Sequence, residues 1–290
     1  MNYYKRTADA LLKDLLDAFG AVLIEGPKWC GKTTTASQLA NSILRMQDPS
    51  MRDEYLVTAK TKPSILLNGD TPRLIDEWQD APMLWDAVRT TVDDRQIPGQ
   101  FILTGSNAVD KSQIHHSGAG RITRLRMLPM SLWESKESTG EVSLKELFNN
   151  PDYDIDGKMS KMSIEDLIFA ASRGGWPASL LARTPKAQLL VAKNYVQTIC
   201  LDDISGIDGK RRDAKLTSMI LRAYARNVST LVKKKSLIDD VISSGEVSCH
   251  TDTFDDYVSA LEKLFVIQNV SAWCPAIRSK TAIRSSVKRC

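Results

Sequence analysis

The segment GPKWCGKTT, residues 26–34, constrains the fold of this chain more than any other stretch. It contains the full phosphate-loop pattern G-x-x-x-x-G-K-[ST], completed by Gly26, Gly31, Lys32 and Thr33. The apolar run 21–24 before it predicts a buried strand. Apolar residues after it recur at helical spacing, at Ala36, Leu39, Ala40 and Ile43. A strand that leads through a glycine loop into a helix directs backbone N–H groups and the helix dipole at phosphate.

The loop therefore predicts a site for nucleotide phosphates with Mg²⁺, a pattern that kinases, GTPases, motors and transporters share. The Lys32 ammonium reaches the β and γ phosphates in this pattern, and the Thr33 hydroxyl is a ligand of Mg²⁺. Cys30 within the loop is either an oxidation-sensitive thiol or a small filler. We expect the whole loop to contact the phosphates: Gly26, Pro27, Lys28, Trp29, Cys30, Gly31, Lys32, Thr33 and Thr34.

A second candidate site segment is the run LIDEWQ, residues 74–79, in which an apolar strand ends in two adjacent carboxylates. Asp76 at the strand tip is expected to position Mg²⁺ opposite Thr33. Glu77 then points past it and activates a water against the γ phosphate, as a general base. This pair favours hydrolysis of the nucleotide over binding alone.

Short strands are predicted over 43–46 and 73–76, and a fourth strand over 101–104 is followed by polar side chains at its tip. Thr104, Ser106 and Asn107 are each suited to sense the γ phosphate or the attacking water, and Ser106 is preferred because it follows the glycine. Two tryptophans flank the proposed site, at positions 29 and 78. They either stack on adenine or pack within the domain.

Gly120 and Arg121 precede a fifth predicted strand over 122–128. The order of phosphate loop, hydrophobic-Asp-Glu, Thr-Gly-Ser strand and Gly-Arg resembles a prokaryotic AAA+-class P-loop ATPase. In particular it resembles the uncharacterised family that carries a C-terminal domain of unknown function. The resemblance covers about residues 20–135, and a weaker match, Arg-Gly-Gly-Trp-Pro at 173–177, lies beyond it.

This resemblance implies Mg²⁺-dependent ATP binding and hydrolysis that drives a conformational switch or motor. It also implies that Arg121 acts as an arginine finger on the γ phosphate of a neighbouring subunit, so a homo-oligomer is expected. The alternative for Arg121 is a pair with a local carboxylate. The client, protein or DNA, is left open.

Strands alternate with helices in the first half, which predicts an α/β fold with a parallel sheet and flanking helices. We expect an ATPase domain with an N-terminal helix over 1–135, a linker and helical segment over 136–235, and a winged-helix-like region over 236–290 that ends partway through a domain. Ser163 and Asp166 predict a capping box, and Thr253 with Asp256 predict the start of a later helix.

Composition restricts the class of protein. Hydrophobic residues make up 42% and charged residues 26% of the chain, which is typical of a globular protein. The five cysteines form no C-x-x-C pair, so reduced thiols and a cytoplasmic location are expected. No apolar run is long enough to span a membrane.

Two other functions stay open. A P-loop small-molecule kinase would need an acceptor pocket and an arginine-rich lid, whereas the Asp-Glu pair suits water activation. A nucleotide-gated DNA-binding or adaptor protein with little turnover is the second. The candidate recognition helix over 254–264 carries Asp255 and Asp256 in its first turn, which repel DNA phosphates.

Overall fold

The computed structural model describes residues 3–106, 116–243, 245–271 and 286–289. The described residues form two compact units. The first unit contains the described residues up to 105 and from 116 to 192. The second unit contains Ser106 and the described residues from 193 onward.

The first unit is built on a parallel sheet with the strand order β2-β3-β4-β1-β5. Its strands are β1 (Ala21–Glu25), β2 (Ser42–Arg45), β3 (Arg73–Asp76), β4 (Phe101–Gly105) and β5 (Ile122–Arg126). Its helices are α1 (Thr7–Ala18), α2 (Lys32–Ser37), α3 (Arg52–Thr61), α4 (Leu84–Arg95), α5 (Leu144–Asn149), α6 (Ile164–Arg173), α7 (Pro177–Leu181) and α8 (Pro185–Thr198), the last of which crosses into the second unit.

Both faces of this sheet are covered, which explains why β1 is apolar at every position but its last. Ala21 and Leu23 face a cluster that contains Trp85 and Val88 of α4. Val22 and Ile24 face the other side, where they pack with Leu12 and Leu16 of α1. A strand buried on both faces requires a continuous apolar run, and this is the pattern that residues 21–24 carry.

The predicted α/β fold with a parallel sheet is confirmed, and the element bounds differ in a few places. The helix after the phosphate loop ends at Ser37, so Leu39 and Ala40 lie outside it, and Ile43 belongs to β2, as the predicted strand over 43–46 indicates. The fifth strand ends at Arg126 and not at residue 128. The capping box at Ser163 is confirmed, since the Ser163 side chain accepts from the Asp166 backbone N–H and the Asp166 side chain accepts in return.

The second unit is mainly helical. Its elements are α9 (Ile204–Gly206), α10 (Ala214–Arg226), α11 (Lys234–Ile242), α12 (Thr251–Lys263) and the antiparallel strands β6 (Gln268–Ser271) and β7 (Ser286–Arg289). The rings of Tyr224 and Phe254 stack in its core at 6.4 Å. α12 begins at Thr251, because the Phe254 N–H already bonds to the His250 carbonyl, so the predicted cap at Thr253 is wrong.

A buried arginine stabilises this second unit. The Arg212 guanidinium donates to Asp208 Oδ1 and Oδ2, both at 2.8 Å, and it also pairs with Asp256 at 2.9 Å. The hydrogen bonds from Arg212 lower the pKa of Asp208 to about 2. Asp256 therefore lies within an ion-pair network.

No helix in the described part of the chain combines the length and the hydrophobicity that crossing a bilayer requires.

Candidate nucleotide site

The phosphate loop lies at the carboxyl edge of the sheet, between the end of β1 and the start of α2. Its backbone takes left-handed conformations at Trp29 and Gly31, with φ of 63° and 100°. Gly26 has no room for a side chain, since an added Cβ would lie 2.1 Å from the Met127 carbonyl oxygen. Glycines at both ends thus allow the chain to turn back on itself and enter α2 at Lys32.

The Lys32 side chain folds across this loop. Its ammonium donates to the carbonyl oxygens of Gly26 at 3.0 Å and Pro27 at 2.9 Å. Burial lowers the pKa of Lys32, and the nearby Cys30, Glu77 and Asp76 oppose that shift. The two hydrogen bonds place the Lys32 ammonium inside the loop, where it interacts electrostatically with both carboxylates.

The carboxylate of Asp76 accepts two hydroxyl donors at one oxygen. Thr33 Oγ1 and Thr104 Oγ1 each donate to Asp76 Oδ1 at 2.6 Å. This convergence follows from the strand order, because β4 lies between β1 and β3 and Thr104 is the register partner of Asp76. The loop, β3 and β4 therefore meet at one carboxylate.

Glu77 adopts a left-handed backbone conformation, with φ 56° and ψ 48°. Such a conformation costs a non-glycine residue about 1–3 kcal/mol and persists only where its surroundings fix it. Three contacts fix it here. Its N–H donates to Thr104 Oγ1 at 3.4 Å, its carbonyl accepts from the Asp80 N–H at 3.1 Å, and its Oε2 accepts from the Gln79 amide.

Two other residues, Ser106 and Asn107, are predicted at the tip of β4. Ser106 directly follows β4 and is buried. Asn107 lies outside the described residues. Thr104, another of the predicted sensors, contacts both Asp76 and the Glu77 backbone.

Arg121 lies at the opposite edge of the sheet from the phosphate loop. Its carbonyl accepts from the N–H of Ala21 at the start of β1, whereas the loop follows the end of that strand. Five residues of strand separate the two edges by about 16 Å. The half-exposed Arg121 side chain pairs with Asp93 at 2.7 Å. Arg121 therefore does not reach the loop of its own chain.

The two flanking tryptophans differ in environment. Trp78 is buried and packs against Trp85 with ring centroids 5.1 Å apart, so its place is in the core. Trp29, within the loop, is 52% exposed. Cys30 is fully buried, and burial raises the pKa of its thiol, which fits the filler interpretation better than a reactive thiolate.

Sequence reasoning missed the contacts that support the loop from behind. The buried Arg6 guanidinium donates to the carbonyl oxygens of Cys30 at 2.6 Å and Leu128 at 2.7 Å, and it pairs with Glu134 at 3.0 Å. Burial alone would raise the pKa of Glu134, but hydrogen bonds from the Ser131 and Thr7 backbone and from Arg6 lower it overall. A usable signal was the S-x-x-E spacing at 131–134, which is typical of a capping turn.

The Arg-Gly-Gly-Trp-Pro segment contacts the same loop. The Trp176 indole N–H donates to the Lys28 carbonyl at 3.2 Å, and the Met130 N–H donates to the Gly175 carbonyl at 2.7 Å. An added Cβ on Gly175 would lie 2.2 Å from the Met130 carbonyl oxygen, so glycine is required there. Residues far along the chain thus brace the phosphate loop.

Comparison with known families agrees with this geometry. Residues 18–136 match the family described as AAA domain. This part of the chain is an AAA domain. Residues 164–290 match a domain of unknown function, DUF8612, so the AAA domain is followed by a second family module whose activity is not defined.

Curated relatives carry no assigned activity. The chain is 24% identical over 279 residues to "Uncharacterized protein Rv2008c" of Mycobacterium tuberculosis and to "Uncharacterized protein Mb2031c" of Mycobacterium bovis. The match covers 93% of this chain and 54% of each relative, so the chain spans about half of their length.

Solved structures give weaker similarity. A Thermotoga maritima RuvB mutant is 17% identical, with a TM-score of 0.34 over 87% of this chain and 84% of that one. A Drosophila ORC structure bound to DNA is 10% identical, with a TM-score of 0.29 over 98% of this chain and 90% of that one. The fold assignment rests on the AAA-domain match and on the parallel sheet of this chain.

Proposed function

We propose that this protein binds ATP together with Mg²⁺ and hydrolyses the γ phosphate, and that the cycle works as a conformational switch or motor on a client. The observation that carries the proposal is the meeting of the phosphate loop with the Asp76–Glu77 pair. Thr33 of the loop and Thr104 of β4 both donate to Asp76 Oδ1, and Glu77 follows directly.

The donor set fits Mg²⁺. The Thr33 hydroxyl and the Asp76 carboxylate are oxygen ligands of the kind that this hard cation prefers, and they are already adjacent. When bound, Mg²⁺ would neutralise charge on the β and γ phosphate oxygens.

The residues of the chain supply the rest of the chemistry. Lys32 exchanges its bonds to the loop carbonyls for bonds to phosphate oxygens. Glu77 accepts a proton from a water as the water oxygen bonds to the γ phosphorus and the bond to the ADP oxygen breaks. Thr104 links Asp76 to Glu77, since its hydroxyl donates to the Asp76 carboxylate and accepts from the Glu77 backbone N–H. Ser106 is proposed to sense the γ phosphate.

Assembly is part of the proposal. Arg121 lies at the edge of the sheet away from its own loop, so any action on a γ phosphate has to occur in a neighbouring copy. Its pair with Asp93 is half-exposed and is worth little in water, so it can be exchanged for a phosphate at low cost.

The test is release of phosphate from ATP and Mg²⁺ with no acceptor molecule present. Hydrolysis predicts steady release that a chelator abolishes. A kinase would release none until an acceptor is added, and that result would refute the proposal. A pull-down with Glu77→Gln in ATP would then identify the client.

A further inference from the structure

We propose that Gln79 is a positioning residue that holds the Glu77 carboxylate in place for catalysis. The inference rests on the proposed hydrolysis, and it adds a residue that neither the loop pattern nor the Asp-Glu pair assigns. It is drawn from the side-chain contact between these two residues and from the environment of the Gln79 amide.

The contact has one chemically reasonable orientation. The Gln79 Nε2 amide donates to Glu77 Oε2. Turning the amide over would set its carbonyl oxygen against the carboxylate, two acceptors in contact with no proton between them. Gln79 therefore donates to Glu77, and this charge-assisted bond fixes the direction of the carboxylate.

The carbonyl oxygen at the other end of the same amide does not stabilise the fold. Gln79 Oε1 is buried and has no hydrogen-bond partner within the described part of the chain. This oxygen packs against Gly105, since a Cβ added to Gly105 would lie 3.0 Å from it. A buried acceptor without a partner is destabilising, so an apolar side chain of equal length would suit the fold better. The amide is therefore explained by its contact with Glu77 and not by stability.

The backbone brings the two side chains together. The left-handed turn at Glu77 leads into a short 3₁₀ turn, Trp78–Asp80, closed by the Asp80 N–H on the Glu77 carbonyl at 3.1 Å. That turn returns the side chain of Gln79 to the carboxylate two residues before it. The glycine at 105 leaves the space into which the amide fits.

The test compares Gln79→Met with the wild type in ATP turnover. Methionine keeps the length and removes the donor, so kcat should fall by about 10- to 100-fold, the range expected when a catalytic group loses its alignment. KM for ATP and the thermal midpoint should stay close to wild type, because the loop is untouched. Gln47→Met is the matched control, since Gln47 also donates to a carboxylate, that of Asp80, but does not contact Glu77.

A second variant, at Gly105, disturbs the contact between Gln79 and Glu77 through the residue that packs against the Gln79 amide. Gly105→Ala places a methyl group against the Gln79 amide and should lower kcat in the same direction without raising KM. If Gln79→Met fails to fold, Gln79→Leu also removes the donor and should show the same loss of kcat.

The outcomes separate this inference from the proposed hydrolysis. If wild-type protein releases no phosphate, or Glu77→Gln keeps full turnover, the hydrolytic assignment fails. If wild type is active, Glu77→Gln is inactive and Gln79→Met retains kcat within twofold, the inference alone is overturned. A rise in KM at unchanged kcat would assign Gln79 to nucleotide binding and would also overturn it.

Discussion

Replacement of Thr104 by valine removes one hydroxyl from the centre of the site while keeping the shape of the side chain. In the wild type this fully buried hydroxyl donates to Asp76 Oδ1 at 2.6 Å and accepts from the Glu77 N–H at 3.4 Å. A hydrogen bond to a charged group contributes about 1.5–3 kcal/mol, and the longer second bond adds less. We therefore expect the first unit to lose about 2–3 kcal/mol.

For a unit of this size that loss lowers the thermal midpoint by roughly 4–12 °C. Turnover should fall about 10-fold or more, because Glu77 loses a contact that fixes its left-handed backbone. Asp76 keeps its hydrogen bond from Thr33. Thermal unfolding and phosphate release measure the two effects. Thr104→Ser is the control, since it keeps the hydroxyl and should retain most turnover. Wild-type midpoint and turnover in Thr104→Val would refute this account of the network.

Three further predictions concern other parts of the chain. Lys32→Ala should abolish ATP binding in a calorimetric titration, because the ammonium inside the loop is lost, and binding at wild-type affinity would contradict the site. Arg121→Ala should be inactive alone but regain turnover when mixed with Lys32→Ala, since each variant supplies what the other lacks; no recovery would count against action in a neighbouring subunit. Asp208→Asn should destabilise the second unit by about 1 kcal/mol near neutral pH, because its pKa of about 2 lies below the unfolded value near 4 while solvent screening at this exposed residue reduces the effect. This stabilisation is complete above about pH 4 and is lost as pH falls toward 2, so the difference from wild type should vanish there in acid-unfolding curves.

The sequence could predict that the loop and Asp76 lie at one edge of the sheet, because both belong to local segments. The strands that carry the loop and Asp76 are short apolar runs buried on both faces, and each ends in polar residues at one edge of the sheet. A parallel sheet places such ends at one edge whatever the strand order. The order itself, with β4 between β1 and β3, was not predicted, and it is what places Thr104 on Asp76.

The contacts that escaped prediction join residues distant in sequence or depend on one backbone angle. Arg6 and Trp176 contact the loop from distant positions in the sequence, and hydrophobic periodicity does not indicate such contacts. Gln79 reads as an ordinary polar residue, and its bond to Glu77 follows from the left-handed turn, which is uncommon for a glutamate.

The measurement that tests the central claim most directly compares ATP binding with hydrolysis in Glu77→Gln. The account predicts that this variant binds ATP and Mg²⁺ with wild-type affinity in calorimetry, because the loop, Lys32 and Asp76 are unchanged. In single-turnover assays its bound ATP should remain intact at least 100-fold longer than in wild type, since general-base catalysis contributes about 10²–10⁴-fold. Hydrolysis at the wild-type rate by Glu77→Gln would contradict the claim that Glu77 is the base.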